Sequence, residues 1–303
     1  MINFKPVTIY DKQIYEKYLI DGKERGCEFS FVNLYLWGRQ NAAIVHDHLV
    51  LFSQFNQRSV YPFPVGEGDK KAVLDAVIQD AKERGIPCRI TGIRPEQKGI
   101  LENLYPDKFR FHCERGSFDY VYDICDLAEL KGRKYQSKRN HCNRFYANYP
   151  DYSVQPLNDD NIHLAKDMAD RWYSDKLAEN LEADYHMERK ALEKAFRDYK
   201  QLGMDGLILL VNEEVVAFTM GNMMSDTTFD VNFEKAYADV QGAYSVINRE
   251  FATYLHNKYP DIIYLDREED MGLEGLRKAK ESYYPHHMID KCWACMLEDE
   301  YEY

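Results

Sequence analysis

The sequence predicts an α/β (α+β) protein made of two similar halves, with mixed, mostly antiparallel sheets flanked by helices. Short segments of alternating apolar and polar residues mark strands, and segments of helical periodicity lie between them. The order of strands and helices before residue 150 then recurs after it, which places the expected domains at 1–150 and 151–303.

In the first half, "AAIVHDHLVLF" and "SVYPFPVG" read as half-buried strands. "DKKAVLDAVIQDAKERG" follows as a helix, with Val73, Leu74, Val77, Ile78 and Ala81 on one face, Asp69 as N-cap and Gly85 as stop. "PCRITGI" is a strand, "RPEQKGILENLYP" a short helix, and "FRFHCERGSFDYVYDI" two strands around Gly116. In the second half, "DYSVQPL" is a strand, and "NDDNIHLAKDMADRWYSDK" and "MERKALEKAFRDYKQLG" are helices. "DGLILLVNEEVVAFTMGNMMSDTTFDVNFEKA" gives three strands with a tight turn near Asn212 to Glu214. "GAYSVINREFATYLHNKYP" is a helix, "DIIYLD" a strand, "GLEGLRKAKESYYP" a helix and "HHMIDKCWACML" a final strand, followed by a frayed acidic tail "EDEYEY".

Composition narrows the class of function. The chain of 303 residues is 45% hydrophobic and 14% aromatic, ample for packed cores. Its longest aliphatic run, Leu207 to Val211, is far shorter than the about 20 residues that cross a bilayer, and "MINFKPVTIYDKQ" lacks a signal peptide's apolar core. No stable membrane insertion is expected. Seven scattered cysteines suggest reduced thiols rather than a disulfide framework, hence a cytoplasmic protein. A net charge of −12 argues against a general nucleic-acid coat, because phosphate binding needs a positive footprint.

A local footprint exists in "KGRKYQSKRNHCNRF", which holds six Lys or Arg in fifteen residues and no Asp or Glu. From Arg133 to Tyr149 the apolar positions Tyr135, Cys142, Phe145 and Tyr149 share one helical face. Arg133, Ser137, Asn140 and Arg144 lie opposite, where a solvated polar stripe is the plainer reading. Lys138 instead points among the aromatic positions, with Arg139 at their margin. The last helix repeats the anomaly, since Lys280 falls within the stripe of Leu273, Leu276 and Tyr284, with Arg277 beside it. One inward lysine from each half points to a shared cleft that attracts an anion.

Three blocks, "DREEDMGLEGLRKAKESYYP", "KGRKYQSKRNHCNRF" and "ADVQGAYSVINREFA", resemble the C-terminal domain family of phosphatidylglycerol lysyltransferases, over essentially the whole chain. The resemblance implies two tandem GNAT-like acyltransferase domains, as in the enzymes that add amino acids to peptidoglycan precursors. It also implies transfer of an aminoacyl group from aminoacyl-tRNA to an amine or hydroxyl acceptor. On that resemblance Lys131, Arg133, Lys138, Arg139 and Arg144 would hold phosphate, of a tRNA end or of an anionic headgroup. Asp266, Glu268 or Asp270 would hold the α-ammonium of the aminoacyl group or take the nucleophile's proton. Arg267, Arg277, Lys280 and Tyr283 complete the block. The membrane-bound lysyltransferases carry a large transmembrane portion ahead of this domain, so a small amine or peptide is an expected acceptor beside a lipid headgroup.

GNAT enzymes that use acyl-CoA hold its pyrophosphate on a loop reading Gln or Arg, two residues, Gly, one residue, Gly or Ala, at a helix start. The loop here, "YADVQGAYS", has one glycine, Gly242, and a carboxylate, Asp239, where phosphate would lie. Acyl-CoA as co-substrate is therefore the second reading, with Gln241, Gly242 and Tyr244 available to a smaller anion. A non-catalytic binding module is the third. No cofactor and no metal are expected: Cys292 and Cys295 form a single CxxC with His286 and His287 nearby, without the paired pattern of a zinc site. Trp37 and Trp172 read as core anchors, and Asn33 joins Trp37 in "NLYLWG", a stretch shared with the family. Tyr283 and Tyr284 stand out among the 24 tyrosines because they adjoin Lys280.

Overall fold

Strand pairing assigns the strands to two sheets in a computed structural model that describes residues 1–20, 26–38, 40–55, 58–180 and 185–297. The tail "EDEYEY" lies outside the described residues. By contacts the chain divides into two units: unit one is Met1–Asp119, Glu269–Glu274 and Met288–Tyr303, and unit two is Tyr120–Glu268 and Gly275–His287. Residues 120–150, expected with the first half, thus group with unit two.

The first sheet contains β1 (Lys5–Pro6), β2 (Gln40–Val45), β3 (His48–Phe55), β4 (Arg58–Pro62), β5 (Val65–Gly66), β6 (Arg89–Ile93) and β7 (Phe109–Cys113). The turn between β2 and β3 is two residues, His46 and Asp47, both at positive φ (47° and 55°), the backbone hand that matches strand twist. The helix expected from the apolar spacing forms as Lys70–Arg84: the Asp69 carboxylate accepts from the Lys71 and Ala72 N–H groups, and Gly85 ends it at φ 65°. Val73, Leu74, Val77 and Ala81 bury that helix against Val50, Phe52, Tyr61, Phe63 and Ile90.

The second sheet contains β8 (Asp119–Asp123), β9 (Ser153–Pro156), β10 (Asp205–Val211), β11 (Glu214–Met223), β12 (Thr228–Ala236), β13 (Tyr264–Asp266) and β14 (His287–Ile289). β10 and β11 turn through Asn212 and Glu213, at φ 50° and 66°, where the sequence placed a tight turn. Helices Ile162–Glu179, His186–Arg197 and Ala243–Lys258 form where periodicity put them. The basic stretch becomes a 3-10 turn, Arg133–Tyr135, leading into the helix Gln136–Asn148.

Two features were not legible in the sequence. The "final strand" is two strands: β14 joins the second sheet, and β15 (Cys292–Met296) inserts between β6 and β7 of the first. Reciprocally, β8, from the first half of the sequence, lies between β13 and β14 in the second sheet. Each sheet is therefore closed by a strand from the opposite half of the chain. Among the described residues no helix is long and apolar enough to cross a membrane.

Candidate active site

β12 and β13 run parallel but share only three pairs, Thr228, Phe229 and Asp230 against Tyr264, Leu265 and Asp266. β12 continues to Ala236 on its other partner, β11, while the chain leaves β13 at Arg267. Where the two strands part, unit two assembles a contiguous polar cluster. Arg267 Nη2 donates to Glu234 Oε1 at 2.8 Å, and Asn248 Nδ2 to Glu234 Oε2 at 3.4 Å. The Arg267 guanidinium lies 5.1 Å from the ring centroid of Tyr283, and Lys138 Nζ lies 3.7 Å from the same centroid. The Tyr283 hydroxyl is 3.5 Å from Ser245 Oγ.

Local sequence explains how these side chains arrive. On β12, Phe229, Val231 and Phe233 are buried apolar residues, and Asp230, Asn232 and Glu234 alternate with them. Lys138 lies on the same helix as the buried Cys142 and Phe145, so its stem runs inward with them. Arg267 is fixed through its own backbone: its N–H donates to Tyr120 O at 3.0 Å, and its carbonyl accepts from Lys280 Nζ.

The electrostatics are uneven. Burial and then the Arg267 charge pull Lys138 down to about 8. Among the described residues its ammonium has no hydrogen-bond or ion-pair partner, only the Tyr283 ring. Burial acts against the charge of Arg267 too, but Glu234, Tyr122 and Tyr283 outweigh it and raise its pKa. Burial pushes the Tyr283 hydroxyl up to about 12. Among the described residues two buried atoms in the cluster have no hydrogen-bond partner: Arg267 Nη1, a donor, and Asn248 Oδ1, an acceptor.

Of the residues expected at the site, the cluster brings together Lys138, Arg267 and Tyr283. Lys280 is buried as expected, but its ammonium is held by the carbonyls of Arg267 and, at 3.0 Å, Glu268. The cation sharing the Tyr283 ring with Lys138 is therefore Arg267. Asp266 is fully buried and accepts the Glu268 N–H at 2.7 Å, which orders the turn carrying Arg267. Asp270 belongs to unit one, where it accepts the Gly272 N–H at 2.8 Å and lies 3.6 Å from Arg115 Nη1. Arg139 donates to the carbonyls of Leu130 and, at 2.7 Å, Gly132, closing the turn before its helix. Lys131 is exposed and pairs with Glu129 at 2.6 Å, and Arg133 and Arg144 are exposed. Gln241 and Tyr244 are exposed at the start of the helix Ala243–Lys258, and Arg277 is half-buried. Gly242 caps that helix at φ 91°, and a Cβ there would lie 2.5 Å from His141 O, so close packing on the neighbouring helix explains the glycine.

Glu234, Ser245 and Asn248 were not singled out from the sequence. The signal for Glu234 was present in the alternation of "FDVNFE", three polar residues on one face of a strand otherwise buried. Asn33 is structural: its amide donates to Cys27 O at 2.9 Å. Trp172, read as a core anchor, is half-buried and donates its indole N–H to Ala236 O at 3.1 Å.

The expectation of reduced thiols is corrected for one pair. Cys292 on β15 stands directly across from Cys113 on β7, and the two form a disulfide; the other five cysteines are not disulfide-bonded. A separation of 179 residues hid the pair until strand register was known. Cys295 is buried three residues along the same strand, where alternation turns it to the other face, so the CxxC is no chelate. The one group of possible metal ligands among the described residues is Cys27, Glu28 and Asp119, and the Lys291 ammonium already bonds Asp119 at 2.8 Å and Glu28 at 3.0 Å.

The fold defines a class, a mixed α/β protein with tandem GNAT-like architecture. Residues 21–295 match the family described as phosphatidylglycerol lysyltransferase, C-terminal, and the chain belongs to that family. No curated protein matches it. A conserved protein of unknown function from Bacteroides thetaiotaomicron is 39% identical, with 98% of this chain and 100% of that one covered and a TM-score of 0.92. L-PGS from Bacillus licheniformis is 17% identical, covering 94% and 92%, with a TM-score of 0.64. A tandem GNAT protein from the clavulanic acid biosynthesis pathway is 7% identical, covering 98% of each chain, with a TM-score of 0.52. At the last two identities the likeness is one of fold.

Proposed function

We propose that the cluster of unit two transfers an aminoacyl group from aminoacyl-tRNA to an amine or hydroxyl acceptor, in the cytoplasm where charged tRNA is made. One observation carries this reading: an unsatisfied buried donor, Arg267 Nη1, and an unsatisfied buried acceptor, Asn248 Oδ1, belong to the two side chains that bond the same Glu234 carboxylate. A ligand that satisfies both has an acceptor next to a donor. An aminoacyl ester has this pattern, with its carbonyl oxygen three bonds from its α-ammonium nitrogen, whereas an acetyl thioester has no ammonium.

In this scheme Arg267 Nη1 donates to the ester carbonyl and stabilises the oxyanion that forms on attack. Glu234 and Asn248 receive the α-ammonium, the role that the sequence suggested for Asp266, Glu268 or Asp270. Lys138 faces phosphate of the tRNA end, and Lys280 and Asp266 keep the Arg267 turn in place. Positioning plus charge stabilisation suffices for such transfer. Acyl-CoA as donor is less well supported, because Gly242 is accounted for by its contact with His141 and Asp239 stays in the loop.

The test is single-turnover transfer from a tRNA pool charged with radiolabelled amino acids to polyamines, small amines and peptides. Label is expected to pass to one acceptor class with wild-type protein and to fall at least about 100-fold with Arg267→Gln. Transfer from acetyl-CoA but from no charged tRNA would overturn the reading. Binding of charged tRNA without any turnover would leave a binding module.

A further inference from the structure

We propose that Lys138 is itself an acylation site: its amine takes an acyl group from a small activated ester or thioester that reaches the cluster, leaving an N-acyl-lysine. A nucleophilic lysine needs a lone pair, and a lysine keeps its extra proton when carboxylates or carbonyls hold it. At Lys138 neither bonds the ammonium among the described residues. Its ammonium rests on the face of Tyr283 at 3.7 Å with no hydrogen-bond or ion-pair partner among the described residues. The charged and titratable groups around it are Arg267 from the turn after β13, Glu234 from β12, Tyr283 beyond the last helix and Cys142 on its own helix. Arg267 repels the extra proton, and the one carboxylate, Glu234, is already bound to Arg267 at 2.8 Å.

The neighbouring lysines differ. Lys131 pairs with Glu129 at 2.6 Å and Lys134 with Asp126 at 2.9 Å, and both are exposed to water. Burial and the Arg267 charge push the proton of Lys138 off as the pH nears 8. The step balances without an oxidant. The neutral Nζ attacks the carbonyl carbon, a C–N bond forms, the ester C–O or thioester C–S bond breaks, and the departing alcohol or thiol takes the proton that Nζ releases. The product carries no charge, so acylation would remove one of the two cations at the Tyr283 ring and weaken any anion held there.

The inference can be tested on the full chain with limiting 4-nitrophenyl acetate near pH 8, followed by hydroxylamine to strip oxygen and sulfur esters, and peptide mapping. Lys138 is expected to acetylate about 10-fold or more faster than Lys131 and Lys134, because the rate follows the neutral-amine fraction. Its rate should level off above pH 8. That advantage should vanish in urea, and labelling at pH 7.5 should slow several-fold in Arg267→Gln. Equal labelling of the three lysines in the native chain, or an advantage that persists in urea, would overturn it. The labelling uses no tRNA, so its failure leaves the transfer reading intact, and the failure of transfer leaves this one intact.

Discussion

Lys138 and Arg267 share one aromatic ring, that of Tyr283, at 3.7 and 5.1 Å from its centroid, and only Arg267 is bonded to a carboxylate. This asymmetry decides the chemistry. The paired cation stays charged, whereas the unpaired one, half-buried beside a like charge, gives up its proton readily.

The first prediction concerns pH. Lys138 has a folded value of about 8, below the ordinary lysine range, so its ammonium is present below pH 8 and lost above it. Affinity for an anionic probe such as pyrophosphate should therefore fall as pH rises through about 8, and Lys138→Arg should abolish that step. The stability sign is the reverse: between about pH 8 and the ordinary lysine value, the unfolded chain holds the proton that the folded chain has released, so this group's contribution to stability rises with pH. Anion titrations and urea melts from pH 6.5 to 9.5 check both.

Glu234→Gln should leave the Arg267 guanidinium buried without its counter-charge. The two side chains are 10% and 14% exposed, so the loss is expected at about 3 kcal/mol in urea unfolding, well above a surface pair. A loss below about 0.5 kcal/mol would mean that water reaches the pair.

Gly242 and Gly85 offer a comparison, because both take the left-handed backbone conformation, at φ 91° and 65°. Alanine at Gly85 meets nothing within 4 Å and should cost about 1 kcal/mol of backbone strain. Alanine at Gly242 adds a Cβ 2.5 Å from His141 O and should cost about 1–2 kcal/mol more, by separating the helices Gln136–Asn148 and Ala243–Lys258. Equal melting temperatures for the two variants would refute the packing role.

In unit one, Lys291 is buried among Asp119, Glu28 and Glu269, at 2.8, 3.0 and 3.7 Å. Burial opposes its charge, but these carboxylates with Cys27 prevail and raise its pKa well above the usual value. Its contribution is thus complete below the ordinary lysine range and is lost only when the pH exceeds its raised value. Lys291→Met should destabilise by about 3–5 kcal/mol at pH 7, with little change between pH 6 and 9.

Much of the local structure was legible because short-range chemistry sets it. The helix Lys70–Arg84 follows from apolar spacing, the Asp69 cap and the Gly85 stop, and the turn at Asn212 and Glu213 from the polar break between two apolar runs. The inward direction of Lys138 followed from helical geometry alone. Lys280 was read as inward on the same logic, and it is buried, yet periodicity gives a direction and not a partner. Whether an inward ammonium meets carbonyls, as Lys280 does, or an aromatic face, as Lys138 does, depends on residues more than a hundred positions away or on a turn such as 267–268.

The sequence by itself determined the α/β class, most of the elements, the family and three members of the cluster, since each rests on local periodicity or a contiguous block. Only the tertiary structure decided that β8 and β15 close each other's sheets, that Cys113 meets Cys292, and that Glu234 rather than Asp270 stands beside Arg267. Strand order and register bring distant segments together, and those pairings are selected by the packing of whole faces, which no short window of sequence contains.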